Sequence, residues 1–367
     1  MSILNQNISN LINTFKLSKD AQKENGDSTS NFWKNININN YNHITEDNII
    51  NFRKNRVLSN HLDDAFKSKN DLQLFKLLKK FDQSFLKKTL PEKNIGNCNK
   101  SISILGYWFD YNIIHHLEWF RKVEKYIQNN FFILEIGGGF GSFARIIIKN
   151  KNVKYFLVDL PEANLMSNYF LQSHFPKKKI FNFSDYKKFK LEDVIKDYDI
   201  FILPPNILEK HNITFNFIIN TRSFMEMKKI TIQNYFDLIH KQIIDNGFFL
   251  NINRYIKSRQ NDEIKFTDYP YDDLWNVKIS EQAYLQKGIH FLLTQRQNLK
   301  GNIGKELLKL KQYNEVKNTN LLNIKRGLIN KIKKLSYLIL KLILINFFSK
   351  KKLNKISEII SNIGESR

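Results

Sequence analysis

FFILEIGGGFGSFARIII, residues 131–148, passes from one apolar run through a cluster of glycines into a second run of different spacing. The first run is short and continuous, as a strand buried on both faces of a parallel sheet has to be. Gly137, Gly139 and Gly141 then fall on alternate positions, where the absence of a Cβ permits a sharp turn and lets a ligand approach the backbone. Ser142 opens a predicted helix over 142–150, so the turn presents the N–H donors of a helix N-terminus to whatever lies above it. This order places a nucleotide-type cofactor at the carboxyl ends of parallel strands. Eighteen residues after Gly141, Asp159 ends the next apolar run, YFLVDL, and an acid there can take both ribose hydroxyls of an adenosine.

Outward from this stretch, short apolar runs alternate with amphipathic ones between Asn130 and Arg296, the pattern of βα units. Strands are predicted at 131–136, 154–159, 215–220 and 247–252. A further one is predicted near 179–183 or 199–203, and two late ones near 275–284 and 289–295. Helices are predicted near 142–150, 161–174 and 231–245, the second opening on Pro161 and Glu162, residues suited to a first helical turn. The expected fold is α/β: a Rossmann-like sheet over 130–298, closed by an antiparallel hairpin. A helical cap is expected over 32–129, including SISILGYWFDYNIIHHLEWFRKVEKYI, after a polar, poorly ordered N-terminus over 1–31. Residues 299–367 read as a basic helical tail.

The chain has 367 residues, 42% of them apolar and 13% aromatic, with 58 Lys and Arg against 35 Asp and Glu. Such a composition buries a core and excludes disorder over most of the length. The lone Cys98 excludes an intramolecular disulfide and a thiolate metal cluster. The first thirty residues contain no apolar run followed by a small-residue cleavage site, so a cytoplasmic protein is expected. About half of the net charge of +23 comes from Lys300 onward, where 16 basic residues face 4 acidic ones. Within that tail, LSYLILKLILINFF (335–348) is too short to span a bilayer and carries Lys341 at its centre. Flanked by lysines, residues 331–355 fit an interfacial helix in peripheral contact with an anionic membrane; packing on the domain or on a second subunit would bury the same residues.

Dinucleotides and S-adenosylmethionine both occupy sites of this layout. The dinucleotide fingerprint requires Gly or Ala where this chain has Ser142, and Glu135 ahead of the loop would repel a pyrophosphate but suits the amino group of a methionine moiety. S-adenosylmethionine is therefore the expected cofactor, held by Glu135, Gly137, Gly139, Gly141 and Asp159. LEIGGGFG with Asp159 resembles the class I S-adenosylmethionine-dependent methyltransferases. VDLPEANLMSNYFLQSHFP, FNFIINTRSFMEMKKITIQNYFDLI and NGFFLNINRYIK, with FWKN and NFRKNRVLSNHLDD upstream, more narrowly resemble the bacterial sugar O-methyltransferases of surface polysaccharide synthesis. That resemblance covers roughly 32–296 and implies methyl transfer to a sugar hydroxyl, on a glycan that is free or lipid-linked.

Such a transfer aligns oxygen, methyl carbon and sulfur and removes one proton. The resemblance puts the acceptor beyond the fourth strand, at INTRSFMEM, which makes Glu226 the first candidate for the base. Glu226 could equally complete an S-x-x-E capping box with Ser223. His115 and His116 are further candidates for the base, because imidazole titrates near operating pH; adjacent helical residues point about 100° apart, so at most one faces a site. His290 is a weaker candidate of the same kind. Ser223 and Arg254, beside Asn253 at the end of the fifth strand, are candidates for acceptor binding. Asp272 and Asp273 read as a solvated loop, and no histidine spacing supports a metal site. Two other classes fit less well: a nucleic-acid methyltransferase, motivated by the charge but lacking an N/D-P-P-Y motif after the fourth strand, and a non-catalytic binding protein on the same fold.

Overall fold

The computed structural model describes residues 3–24, 44–54, 76–205, 207–259, 262–284 and 286–315. Its centre is an eight-stranded sheet ordered β11-β12-β8-β7-β3-β4-β6-β5. In chain order the strands are β3 (Phe132–Ile136), β4 (Lys154–Val158), β5 (Ile180–Phe181), β6 (Ile200–Leu203), β7 (Phe215–Thr221), β8 (Ile243–Arg254), β11 (Trp275–Gln282) and β12 (Ile289–Arg296). Strands β3 to β8 run parallel, β12 is antiparallel to β8, and β11 is antiparallel to β12. The order reverses beside β3, so the ends of β3 and β7 diverge there and open a crevice at their carboxyl ends. This is the expected Rossmann-like sheet with its closing antiparallel hairpin. Both runs considered for the edge form strands, β5 being only two residues long.

Successive residues of a strand face opposite sides, and the core divides accordingly. Ile133, Leu157, Ile219 and Leu250 point to one layer, Leu134, Phe156, Ile218 and Phe249 to the other. The first layer is closed by α2 (Tyr111–Val123), α3 (Ser142–Asn150) and α4 (Pro161–His174), the second by α5 (Lys229–Gln242) and α6 (Ile303–Glu315).

Three expectations change. Residues 3–24 form a helix, α1, with Ile8, Leu11 and Phe15 buried and Lys19 paired at 2.6 Å with the buried Glu162 of α4. That segment is part of the fold and not a poorly ordered N-terminus, because one apolar stripe is enough to dock a helix whose other face stays polar. Within the cap, SISILGYWF forms a hairpin of β1 (Ile102–Ile104) and β2 (Tyr107–Phe109) and not a helix. Its turn residues, Leu105 and Gly106, have φ of +51° and +84°, the left-handed pair that a two-residue turn matched to strand twist demands. A second hairpin, β9 (Ile256–Arg259) with β10 (Asp262–Lys265), follows β8. Finally, the sheet domain runs past residue 298: Gly301 lies so close to Trp275 O that a Cβ would sit 2.0 Å from it, and Ile303 of α6 is buried. Residues 25–31, the FWKN block, positions 55–64 of the upstream block and the apolar tail 331–355 lie outside the described residues. Among the described residues no helix is long and apolar enough to cross a membrane.

Candidate active site

The glycine loop leaves β3 at Ile136 and enters α3 at Ser142. Gly137, Gly139 and Gly141 adopt φ of +73°, +58° and +84°, a region that costs an ordinary L-residue about 1–2 kcal/mol. Hydrogen bonds hold the reversal: Gly137 N donates to Val158 O at 2.7 Å and Gly141 N to Gly138 O at 3.0 Å. The loop is also gripped from outside through Phe140, whose ring is met by Phe170 at 5.0 Å, Phe52 at 5.6 Å and the Arg53 guanidinium at 4.9 Å. Arg53 is itself paired with Asp110, the N-cap of α2, at 2.7 Å. No side chain caps α3, so its first-turn donors are left to backbone, water or a ligand.

Asp159 stands immediately beyond β4. Its Oδ2 accepts from Gly139 N at 2.7 Å and its Oδ1 from Leu160 N at 2.7 Å, so loop and acid form one unit. Burial pushes this carboxyl up to about 7, with further upward contributions from the Glu162 and Glu226 charges, against the lowering effect of the two N–H bonds. Glu135 lies beneath the loop, 1% exposed, and accepts from Tyr155 OH at 2.7 Å. Burial lifts it to about 8, partly offset by the Tyr155 bond. Its carboxyl is thus largely protonated at neutral pH, unlike the charged acid that the spacing suggested.

The end of β7 forms the facing wall. Asn220, Asn251 and Asn253, all fully buried, make a ladder: Asn253 Nδ2 donates to Asn220 Oδ1 at 2.8 Å and to Asn251 Oδ1 at 2.7 Å, and Asn220 Nδ2 donates to Ile136 O at 2.8 Å. Asn220 Oδ1 also accepts from Phe224 N at 3.2 Å, and Asn253 Oδ1 accepts from Met225 N at 3.4 Å. The ladder fixes the segment Thr221–Met225 against the glycine loop, so closely that a Cβ on Gly137 would sit 1.9 Å from Ser223 Oγ. Asn220 and Asn251 were missed in the sequence; Asn253, read there with Arg254 as a candidate for acceptor binding, is instead buried within the ladder. Ser223 makes no side-chain cap for the 3-10 turn Phe224–Glu226, so the capping box is absent. Glu226 is half-buried and close enough to Asp159 for its charge to act there.

The two histidines of α2 separate as expected. His115 is 1% exposed, lies 4.5 Å from the Tyr111 ring, and has neither ring nitrogen hydrogen-bonded. His116 Nδ1 lies 3.0 Å from Ser142 Oγ at the head of α3 and packs against Trp119 and Phe143. Burial first, and then the Arg222 charge, lower His115 to about 3 and hold His116 well below the usual range, so both rings are neutral. Arg254 is exposed at the end of β8. His290 is enclosed between Ser280 Oγ at 3.0 Å and Tyr255 OH at 3.1 Å. Asp272 is held by Arg296 and Asp273 by Lys300. Among the described residues no three His, Cys, Asp or Glu are grouped to hold a metal.

No family model matches the chain, and no curated protein matches it. Several solved structures are matched at low identity. The pyocyanin biosynthetic protein PhzM is 10% identical over 50% of this chain and 55% of its own, at a TM-score of 0.33. TrmN from Thermus thermophilus is 10% identical over 50% of this chain and 48% of its own, at 0.33. A SAM dependent methyltransferase from Aquifex aeolicus is 12% identical over 62% and 98%, at 0.29. The chain thus spans about half the length of the first two.

The arrangement brings Gly137, Gly139, Gly141, Asp159, Ser223 and Glu226 to one crevice and His116 to its rim, while Glu135 braces it from below. The groups present fit a nucleoside carrying an amino acid: an acid beside the loop for vicinal hydroxyls and an uncapped helix head for a carboxylate.

Proposed function

We propose that this protein is an S-adenosylmethionine-dependent O-methyltransferase that methylates a sugar hydroxyl during glycan synthesis. The observation that carries the reading is the hydrogen bond from Gly139 N to Asp159 Oδ2, which joins the glycine loop to the acid at the carboxyl edge of the parallel strands. When bound, the cofactor supplies a methyl group on a sulfonium. Asp159 takes the ribose hydroxyls, the loop backbone accommodates the amino acid portion, and Glu135 offers a buried acid that ionises as a positive charge nears it. Glu226 receives the proton from the acceptor hydroxyl. His116, held neutral, stands at the head of α3, and Ser223 offers a hydroxyl partner for a sugar. The sugar acceptor is supported by the sequence blocks VDLPEANLMSNYFLQSHFP and FNFIINTRSFMEM.

Calorimetric titration with S-adenosylmethionine, followed by transfer of a labelled methyl group to a panel of glycans and lipid-linked glycans, tests the reading. Saturable binding with label in a sugar methyl ether is the expected result. Absence of binding, or label recovered only in RNA or DNA, removes it.

A further inference from the structure

One residue of the crevice wall holds an uncommon backbone conformation. Arg222, directly after β7, has φ of +59°, a left-handed conformation that a long side chain adopts only where its surroundings impose it. It is pinned there by its own N–H, which donates to Ile252 O at 2.7 Å, and by the asparagine ladder under the next residues. The effect is to turn the side chain away from the sheet and across to α2, where the guanidinium stands 5.4 Å from the Trp119 ring centre. Trp119 is in turn ringed by His116 at 4.9 Å and Phe143 at 5.9 Å. A cation on an aromatic platform is oriented and partly shielded from water, and a guanidinium with five donors can serve an incoming anion beside any partner it already has.

The imidazoles around it do not compete for that anion as cations, since burial and the Arg222 charge keep both neutral. Arg222 is therefore a positive charge at this part of the rim, next to Ser223, whose hydroxyl faces the glycine loop.

We infer that Arg222, seated on Trp119, is the residue that selects an anionic acceptor: a sugar bearing a carboxylate or a phosphate, gripped by the guanidinium. The inference rests on the methyltransferase reading and deepens it. It explains why the chain keeps a strained arginine where glycine would be relaxed, and it separates acidic sugars from neutral ones by one charge-assisted contact.

The full chain, saturated with S-adenosylhomocysteine, is titrated with D-glucuronate, D-glucose 1-phosphate and D-glucose. At least one of the two anions is expected to bind tenfold or more tightly than glucose, and which of them does so distinguishes carboxylate from phosphate. Arg222→Gly removes the cation while relaxing the backbone, so loss of fold does not confuse the outcome; it is expected to erase the preference and leave S-adenosylhomocysteine affinity within about twofold. Arg222→Lys should keep part of the preference. Equal binding of all three sugars, or a preference that survives Arg222→Gly, overturns the inference. So does a fall in S-adenosylhomocysteine affinity in Arg222→Gly, which would assign Arg222 to the carboxylate of the cofactor. Failure of the unsubstituted chain to bind S-adenosylhomocysteine at all would instead remove the methyltransferase reading beneath it.

Discussion

Adding one methyl group at Gly137 should cost both stability and cofactor affinity, and the structure gives the size of each part. The backbone there has φ of +73°, which penalises any L-residue by about 1–2 kcal/mol. The new Cβ would lie 1.9 Å from Ser223 Oγ and 2.3 Å from Ser223 Cβ, far inside contact distance, and overpacking of this kind costs about 1–3 kcal/mol. Together Gly137→Ala should destabilise the protein by roughly 2–5 kcal/mol, a sizeable share of the 5–15 kcal/mol of a typical domain. Relief has two separable sources. Ser223→Gly in the Gly137→Ala background removes the collision and should restore about 1–3 kcal/mol, whereas the backbone cost remains. Gly141→Ala serves as a control: its φ is +84°, but the nearest atoms to its Cβ belong to the flexible Leu171 side chain, at 3.2 Å, so about 1–2 kcal/mol should be lost. Urea unfolding of the unsubstituted protein, Gly137→Ala, Ser223→Gly and the pair, read through the midpoint at constant m-value, gives the double-mutant cycle, with Gly141→Ala measured beside it. Titration with S-adenosylhomocysteine should show affinity lost in Gly137→Ala and partly regained in the pair. If Gly137→Ala unfolds within about 0.5 kcal/mol of the unsubstituted protein and binds normally, the loop is not packed against Ser223 as described and the cofactor lies elsewhere.

Asp159→Ala removes an acceptor for ribose hydroxyls, each charge-assisted bond contributing about 1.5–3 kcal/mol; affinity should fall more than tenfold by calorimetry, and a fall below threefold would mean that the acid does not meet the ribose. Glu135 and Asp159, at about 8 and about 7, lie above their ordinary values of 4.5 and 3.8, so the native state holds more protons than the unfolded state between those limits. These two groups therefore contribute stability that declines as pH rises from about 4 to 8. A cofactor carrying ammonium and sulfonium charges should favour their ionised forms, so binding at pH 7 should release protons, seen as an enthalpy that differs between phosphate and Tris buffers; identical enthalpies would count against it. Glu226→Gln should lower turnover by about 10²–10⁴ with cofactor affinity intact, whereas unchanged turnover would return the proton to His116. We further propose that residues 331–355 lie on anionic membranes, so the full chain should sediment with phosphatidylglycerol vesicles at low salt and a chain ending at Asn330 should not; both remaining in the supernatant would exclude that contact.

The strand, glycine loop and helix over 132–150 were legible in the sequence because each depends on local chemistry. A continuous apolar run buried on both faces, three glycines at positive φ and an amphipathic repeat leave little alternative. Asp159 was legible for the same reason, since a short strand delivers its last residue to a known edge. The hairpin at 102–109 was not, because its alternation is only three residues deep on each side and the following helix dominated the pattern. Nor was the docking of α1, whose stability comes from a face supplied by α4 and not from its own propensity. Within the site, the sequence singled out His115 and His116 together, and the packing of α2 decided that His116 reaches Ser142 while His115 is enclosed. It likewise supplied Glu135 as a charge, and the Tyr155 hydroxyl with full burial made it an acid near 8. The asparagine ladder and the left-handed Arg222 arise from contacts between β3, β7 and β8, segments up to 117 residues apart between Ile136 and Asn253. Local periodicity determines which segments become strands and helices; the direction of a side chain at their ends depends on partners distant in the chain, which only the folded sheet brings together.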